Sequence, residues 1–365
     1  MNNRIVMLNN IPSPYCVDLF KALQNRLPEY EFHFIFTSGT EGNREWKGNT
    51  EGLNNVQILE SKVLRLKTLH DQRYIHFPGS IARLLDAIDP AIVAAKEYNP
   101  SALQSLAWCR LHKRHYVHVT EGTLLSERRL NPVQIAARKL ILSYADYSIA
   151  ASTKAKEKLL YWKYPEEKIR TAFLTFDWSS MKQLPRTPKK GRILYAGSMA
   201  ERKGVDLLIR SLSYLRGEWT LHIAGSGEQQ AIQDLQALSG RLGLHDRITW
   251  CGYLEGEALY REYAEASLFV LPTREDCFGL VLLEAAVKGV PIVSSKYADG
   301  AYDVVQEEVT GLIEDPEDAQ VFARAMETVL KDPSYAKYAE TQDLSRFSLE
   351  SVCGIYREVF QTLTL

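Results

Sequence analysis

Leu268-Phe269-Val270-Leu271-Pro272-Thr273-Arg274-Glu275-Asp276-Cys277-Phe278-Gly279-Leu280-Val281-Leu282-Leu283-Glu284-Ala285 decides the fold. Four apolar residues read as a short buried strand, Pro272 ends it, and the apolar run that resumes after Gly279 reads as a helix. Strand, loop and helix in that order make one βα unit. Gly279 allows a close approach of the backbone, and the N–H groups that follow it suit a phosphate. Glu284 lies five residues into the helix. A carboxylate between strand and helix is costly unless it is hydrogen-bonded, and two adjacent ribose hydroxyls would satisfy both of its oxygens. A helix-capping or surface role is the plainer alternative.

Similar units flank this one. Strand Arg192–Ala196 runs into Gly197-Ser198-Met199-Ala200-Glu201-Arg202-Lys203-Gly204 and then into a helix at Val205–Leu215. Strand Leu221–Ala224 runs into Gly225-Ser226-Gly227-Glu228. That loop differs from a dinucleotide G-x-G-x-x-G because position 230 is Gln. A tight structural turn accounts for either loop as well as a phosphate does. Arg247–Cys251 and Pro291–Ser294 supply further strands. In the first half, strands are expected at Arg4–Leu8, Glu31–Thr37, Ala91–Ala94, Tyr116–Val119 and Tyr147–Ala151, with helical patterns between them. A break near Thr175–Lys190 carries Pro185, Pro188 and several lysines. The expected architecture is therefore α/β: one Rossmann-like domain at 1–185, a second at 190–345, and a closing helix within 346–365 that packs back towards the first.

The composition sets limits. A length of 365 residues fits two domains, and 45% hydrophobic with 24% charged residues is ordinary for a globular chain. No apolar run approaches the ~18–20 residues of a membrane span and no leader peptide is visible, so a cytoplasmic protein is expected. Cys16, Cys109, Cys251, Cys277 and Cys353 are scattered without a CxxC pair, which points to reduced thiols and to neither a disulfide framework nor a zinc site. The net charge of −1 hides an asymmetry: residues 1–185 hold 25 basic and 18 acidic side chains, and the remainder 19 and 27. The basic half attracts anionic partners, whereas its acidic companion argues against a nucleic-acid binder.

In joint order and spacing, these loops, together with Trp250-Cys251-Gly252-Tyr253, Gly289-Val290-Pro291-Ile292-Val293 and Val309-Thr310-Gly311-Leu312, resemble the nucleotide-sugar domain of glycosyltransferase family 4. The resemblance covers nearly all of 190–345. It implies the GT-B fold, two Rossmann-like domains facing each other across a cleft. It also implies hexosyl transfer from a nucleotide-diphosphate sugar to a hydroxyl of a glycan or lipid-linked saccharide, with retained anomeric configuration. UDP-sugars are favoured over GDP-sugars, and the pathway implied is bacterial polysaccharide assembly.

By the same resemblance, Glu284 holds the ribose, the backbone at Gly279, Leu280 and Val281 meets the pyrophosphate, and Phe278 belongs to the same donor site. Lys203 neutralises the leaving phosphate, with Arg202, Gly225 and Gly227 in the same donor site. Tyr253 marks the base-contacting loop. Two departures stand out. Ser198 replaces the family's usual arginine. Asp276, with Glu275 as second choice, replaces the first glutamate of the usual E-x7-E pair as the acid on the donor sugar. In the first half, Ile11, Pro12 and Ser13 form the acceptor-side loop. Glu121 stands where the family places a catalytic-site residue, with His118 just before it. His118 is also readable as an ordinary core histidine.

No DxD-like acidic motif at a strand end and no His/Cys grouping is visible in the sequence, so no metal or cofactor is expected and Lys203 with helix dipoles should meet the phosphate charge. Basic runs around Arg110–His115, Arg128-Arg129, Arg138-Lys139 and Lys154/Lys156/Lys158 suggest peripheral docking of the first domain on the anionic inner membrane face. Two competing readings are a GT-B sugar-nucleotide epimerase and an inactive nucleotide-sugar binding protein. A nicotinamide oxidoreductase is disfavoured because the first strand's turn, Asn9–Pro14, contains no glycine.

Overall fold

The computed structural model describes residues 2–40, 49–67 and 72–364. Met1 and Leu365, which bound the first and last assigned stretches, lie outside them. The described residues form two units, one from residues 2–177 and 345–364, the other from 178–344.

The first unit holds strands β1 (Arg4–Asn9), β2 (Glu31–Phe36), β3 (Val56–Ile58), β4 (Ser61–Lys67), β5 (Gln72–Pro78), β6 (Ile92–Lys96), β7 (His115–Thr120), β8 (Tyr147–Ala150) and β9 (Ile169–Thr171). Its first helices are α1 (Pro14–Arg26), α2 (Ile81–Ile88), α3 (Pro100–His112), α4 (Pro132–Tyr144) and α5 (Thr153–Tyr161). Seven strands form one parallel sheet in the order β3-β2-β1-β6-β7-β8-β9, and β4 pairs antiparallel with β5 as a separate ribbon. The inner strands β1, β2, β6, β7 and β8 are largely buried, as a parallel sheet covered on both faces requires, whereas the edge strand β3 is mostly exposed. Along β1, Ile5 and Met7 face one side with Phe20, Phe34 and Phe36, and Val6 and Leu8 face the other with Leu85, Leu106 and Trp108.

The second unit has α6 (Ser179–Gln183), β10 (Arg192–Ala196), α7 (Val205–Leu212), β11 (Thr220–Ala224), α8 (Gln229–Arg241), β12 (Ile248–Gly252), α9 (Gly256–Glu265) and β13 (Leu268–Leu271). It continues with α10 (Leu280–Val287), β14 (Ile292–Ser295), α11 (Ala301–Val304), β15 (Gly311–Glu314), α12 (Ala319–Lys331) and α13 (Pro333–Glu340). Its sheet is parallel throughout, in the order β12-β11-β10-β13-β14-β15. Counted within the unit this is 3-2-1-4-5-6, the dinucleotide-fold order, whose direction reverses between β10 and β13. The first unit reverses in the same way between β1 and β6.

The last helix, α14 (Leu349–Thr364), belongs to the first unit. Its Val352, Tyr356, Val359 and Phe360 are buried in the same cluster as Phe20, Phe32 and Phe34.

Candidate active site

In an open α/β sheet a ligand sits beyond the carboxyl ends of the strands, at the point where strand order reverses. In the second unit that point lies between the loops that follow β10 and β13. These loops are joined closely. The Arg274 amide donates to Arg202 O at 2.8 Å, and the buried Thr273 hydroxyl donates to the same carbonyl at 2.9 Å. Arg274 also clasps Asp206 through both terminal guanidinium nitrogens, at 2.8 and 2.7 Å. A Cβ on Gly204, whose φ is +70°, would come within 2.1 Å of Pro272 O, so only glycine fits. Gly225 is as constrained: a Cβ there would lie 1.7 Å from Gly197 O. At Gly227 a Cβ would meet the Met199 Cβ at 2.6 Å. Packing between loops therefore explains these two glycines directly.

Lys203 and Asp276 meet at this junction as an ion pair, with side chains 16% and 13% exposed. Arg202 lies 4.0 Å from the same carboxylate and donates to Glu275 O at 2.7 Å. Burial works against the Asp276 charge, but Lys203 and then Arg202 hold its pKa down at about 2. Asp276, expected on the donor sugar, is thus bound to Lys203, expected on the phosphate. Next to this pair, Gly279 (φ +74°) caps α10. The amides of Leu280 and Val281, in the first helical turn, have no acceptor within the helix. Phe278 is buried, and its carbonyl packs where a Cβ on Gly300 would come within 2.2 Å. Further along α10, the buried Tyr263 hydroxyl donates to Glu284 Oε2 at 2.6 Å. Burial raises the Glu284 pKa, and the Tyr263 hydrogen bond partly offsets the rise. Ser198 contributes its carbonyl, which accepts from the Tyr195 hydroxyl at 2.6 Å. Tyr253 follows the edge strand β12, two strands from β10. It is 41% exposed and donates to Glu255 at 3.1 Å.

The first unit's reversal point also carries a charged cluster. Lys96 ends β6 and pairs with Glu121 at 2.6 Å, their side chains 15% and 24% exposed. Burial opposes the Lys96 charge, but Glu121 holds its pKa well above the usual lysine value. Lys96 also lies over the Tyr15 ring, 5.4 Å from its centre. Glu97 adopts φ +60°, rare for a side chain of this kind. Its carboxylate accepts from the Thr120 hydroxyl and from the amides of Glu121, at 2.6 Å, and Gly122, at 3.2 Å. Glu97 therefore holds the turn that presents Glu121.

Ile11, Pro12 and Ser13 are buried beside this cluster's β1 loop. Asn10 in that loop accepts from the Asn99 amide at 2.8 Å. His118 is fully buried: its Nδ1 meets Ser148 Oγ at 2.9 Å, and its ring packs 4.5 Å from the Tyr98 ring. Burial, with Lys158 and Arg138 nearby, holds its pKa well below the usual histidine value. That leaves no face of the ring for an acceptor and makes His118 a neutral core residue. A second correction concerns the basic runs. Arg138 is 8% exposed and Lys158 0%, not solvated. Arg138 clasps Glu127 at 2.8 and 2.9 Å, and Lys158 reaches Thr120 Oγ1 at 2.7 Å and Glu127 at 3.4 Å. Burying these cations requires such pairing. Arg110, Lys113, Arg128, Arg129 and Lys139 are exposed.

Comparison with solved structures places this architecture. The apo lipopolysaccharide outer core galactosyltransferase WaaB superposes with a TM-score of 0.75 at 19% identity, covering 98% of this chain and 99% of that one. Anabaena Alr3699/HepE in complex with UDP superposes with a TM-score of 0.79 at 17% identity, covering 98% and 100%. This is the GT-B fold. Within it, residues 176–343 match the family of glycosyl transferases group 1. The lipopolysaccharide 1,6-galactosyltransferase of Escherichia coli K12 is 28% identical over 50% of this chain and 51% of its own length. The alpha-D-kanosaminyltransferase of Streptomyces kanamyceticus is 27% identical over 68% and 70%. An uncharacterized glycosyltransferase of Methanocaldococcus jannaschii is 26% identical over 63% of each chain. The match to the first and third of these spans about half to two thirds of their length.

The GT-B frame assembles Arg202, Lys203, Glu275, Asp276 and Gly279 around one reversal point. Two residues of the clusters were missed from sequence. Tyr263 carries no signal, because its partner lies 21 residues away in another helix. Lys96 could have been found as the charge that closes the apolar run Ala91–Ala95 beside Glu97.

Proposed function

We propose that the protein is a retaining glycosyltransferase of family 4. In this reading it transfers a hexosyl group from a nucleoside diphosphate sugar, UDP-sugar foremost, to a hydroxyl of a glycan or lipid-linked saccharide in polysaccharide assembly. The observation that carries the reading is Glu284. Tyr263 holds one of its oxygens, and five residues at 1.5 Å each put it roughly 7 Å along α10 from the helix start at Gly279. A ribose on the carboxylate and phosphates at the helix start fit that spacing. The same two groups on an unrelated surface helix would have no reason to meet a Lys–Asp–Arg cluster at a sheet's reversal point.

The chemistry follows from the charges. As the bond from the sugar to the phosphate breaks, negative charge grows on the leaving nucleotide. Lys203, Arg202 and the amides of Leu280 and Val281 are preorganised to receive it. In the free protein Asp276 occupies Lys203. Phosphate binding competes for that ammonium and releases Asp276 towards the sugar. Glu121, held by Glu97 and charge-balanced by Lys96, positions the acceptor hydroxyl on the first unit. The exposed Arg110, Lys113, Arg128, Arg129 and Lys139 would meet anionic headgroups at the cytoplasmic membrane face. None of the helices among the described residues is long and apolar enough to cross a membrane.

The test is calorimetry of UDP, GDP and ADP on the wild-type chain and on Glu284→Ala. One nucleotide should bind clearly and lose about 2 kcal/mol in the variant. Binding indifferent to Glu284 would make that carboxylate structural and remove the main support. Product analysis with the matching sugar nucleotide then separates transfer, which consumes an acceptor, from epimerisation, which does not.

A further inference from the structure

We propose that the second unit carries a zinc site, formed by His222 Nδ1, Cys251 Sγ and a Glu262 carboxylate oxygen, separate from the donor cluster. His222 lies on β11, Cys251 on the adjacent β12, and Glu262 on α9. The three ligand atoms all lie within 4.8 Å of one another. His222 Nδ1 is 2.9 Å from Glu262 Oε2 and 3.8 Å from Cys251 Sγ. A triangle of these sides has a centre roughly 2–2.4 Å from all three corners. That matches zinc, which sits about 2.0–2.2 Å from nitrogen and oxygen ligands and about 2.3 Å from sulfur.

A second observation points to the same place. Glu262 Oε2 is buried and accepts no hydrogen bond. His222 Nδ1 lies 2.9 Å from the same oxygen, close enough for the two atoms to serve as neighbouring ligands of one ion. A buried carboxylate oxygen without a donor is costly, and a cation removes that cost. Arg192 lies 3.6 Å from this oxygen, but its guanidinium is already paired with Glu265, so its charge keeps a partner when an ion takes Glu262.

The donor set selects the ion. One thiolate, one imidazole and one carboxylate suit zinc and exclude the hard cations magnesium and calcium, which take oxygen ligands. On binding, a sulfur–zinc bond replaces the sulfur–hydrogen bond of Cys251, whose proton leaves to solvent. His222 gives its Nδ1 lone pair, and water fills the fourth position. His222 and Glu262 side chains are 12% and 18% exposed, enough for that water to reach the ion. The site would tie the β11–β12 edge of the sheet to α9. The next residue of α9 is Tyr263, which holds Glu284, so the ion would steady the helix behind the donor site. The sequence concealed the set because its members are 29 and 11 residues apart on three elements.

Cobalt(II), added alone to the chelator-treated full-length protein, tests this. One equivalent should bring up the strong visible bands of a tetrahedral ion and a sulfur-to-cobalt charge-transfer band, both erased by zinc. Cys251→Ser should abolish the charge-transfer band, and Cys277→Ser, at the other incompletely buried thiol, should leave it intact. His222→Gln and Glu262→Gln should each weaken binding about tenfold or more. Zinc should raise the melting temperature of the wild type and not that of Glu262→Gln. Absence of tetrahedral bands in the wild type, or a charge-transfer band that survives Cys251→Ser, would overturn the proposal. Should Cys251→Ser fail to fold, zinc stoichiometry of the wild type against Glu262→Gln by a competing chromogenic chelator decides. Nucleotide binding enters none of these readouts, so the outcome is independent of the reading of the donor site.

Discussion

Asp276 and Lys203 satisfy one another in the free protein, and that pairing makes an unusual demand on any anionic ligand. A phosphate must take an ammonium that already has a carboxylate partner and Arg202 beside it. Asp276→Asn removes the competitor. Nucleotide diphosphate binding should then tighten about fivefold, or ~1 kcal/mol, while transfer falls, a split that calorimetry and a product assay measure together. His118 makes a different prediction. Its folded pKa lies well below the ordinary value near 6.5, so the folded protein binds fewer protons than the unfolded chain as the solution acidifies. Its contribution to stability is complete above about pH 6.5 and is lost as the pH falls below that, by up to about 1.4 kcal/mol per unit. Urea unfolding between pH 7.5 and 5.5 should show a slope in the wild type that His118→Gln reduces. Two further residues show what a sequence reading can and cannot carry. Glu284 was legible as a buried, hydrogen-bonded carboxylate because an acid inside an apolar helix start needs a partner. Lys158 was misread as surface charge because nothing local announces a partner, and Glu127 and Thr120 lie 31 and 38 residues away.

At the scale of elements, most strands of the two large sheets, though not β3 or β15, were legible because buried parallel strands are short apolar runs, several of them closed by Gly, Pro or Asn. The ribbon of β4 and β5 was not. Lys62-Val63-Leu64-Arg65 neither alternates cleanly nor forms an apolar run, and Val63, Leu64 and Phe77 remain 44–47% exposed. Nor does β9, three residues long, carry a periodicity to read. Gly225 sits at φ +157° with its amide donating to Gly252 O at 2.7 Å and its Cα against Gly197 O. Three successive βα loops thus lie in backbone contact, and a single methyl group added at Gly225 would force them apart. Gly225→Ala should cost more than about 2 kcal/mol, read as a shifted denaturant midpoint. Gly240→Ala, inside α8 with open space around its Cα, should be neutral or stabilising by up to about 1 kcal/mol.

At the scale of the molecule, two sheets with the same reversal each gather a cation–carboxylate pair at that reversal, Lys96–Glu121 in one and Lys203–Asp276 in the other. The charge asymmetry between halves does not arise at these pairs, each of which is neutral; it belongs to the surfaces around them. The first unit's core is completed by α14. Phe360→Ala, at a site with no exposure, should lower the stability of that unit by about 3–5 kcal/mol and leave the second unit's transition in place, a difference that tryptophan fluorescence and amide exchange resolve by unit. The position of α14 also has a temporal consequence. A ribosome delivers residues 2–177 first, yet the aromatic face around Phe20, Phe32 and Phe34 cannot be covered until residues 345–364 emerge, after the whole of the second unit. The usual order, in which the earlier-synthesised domain folds first, is therefore inverted. The later-made unit can close on its own residues while the earlier one waits with an oily surface open.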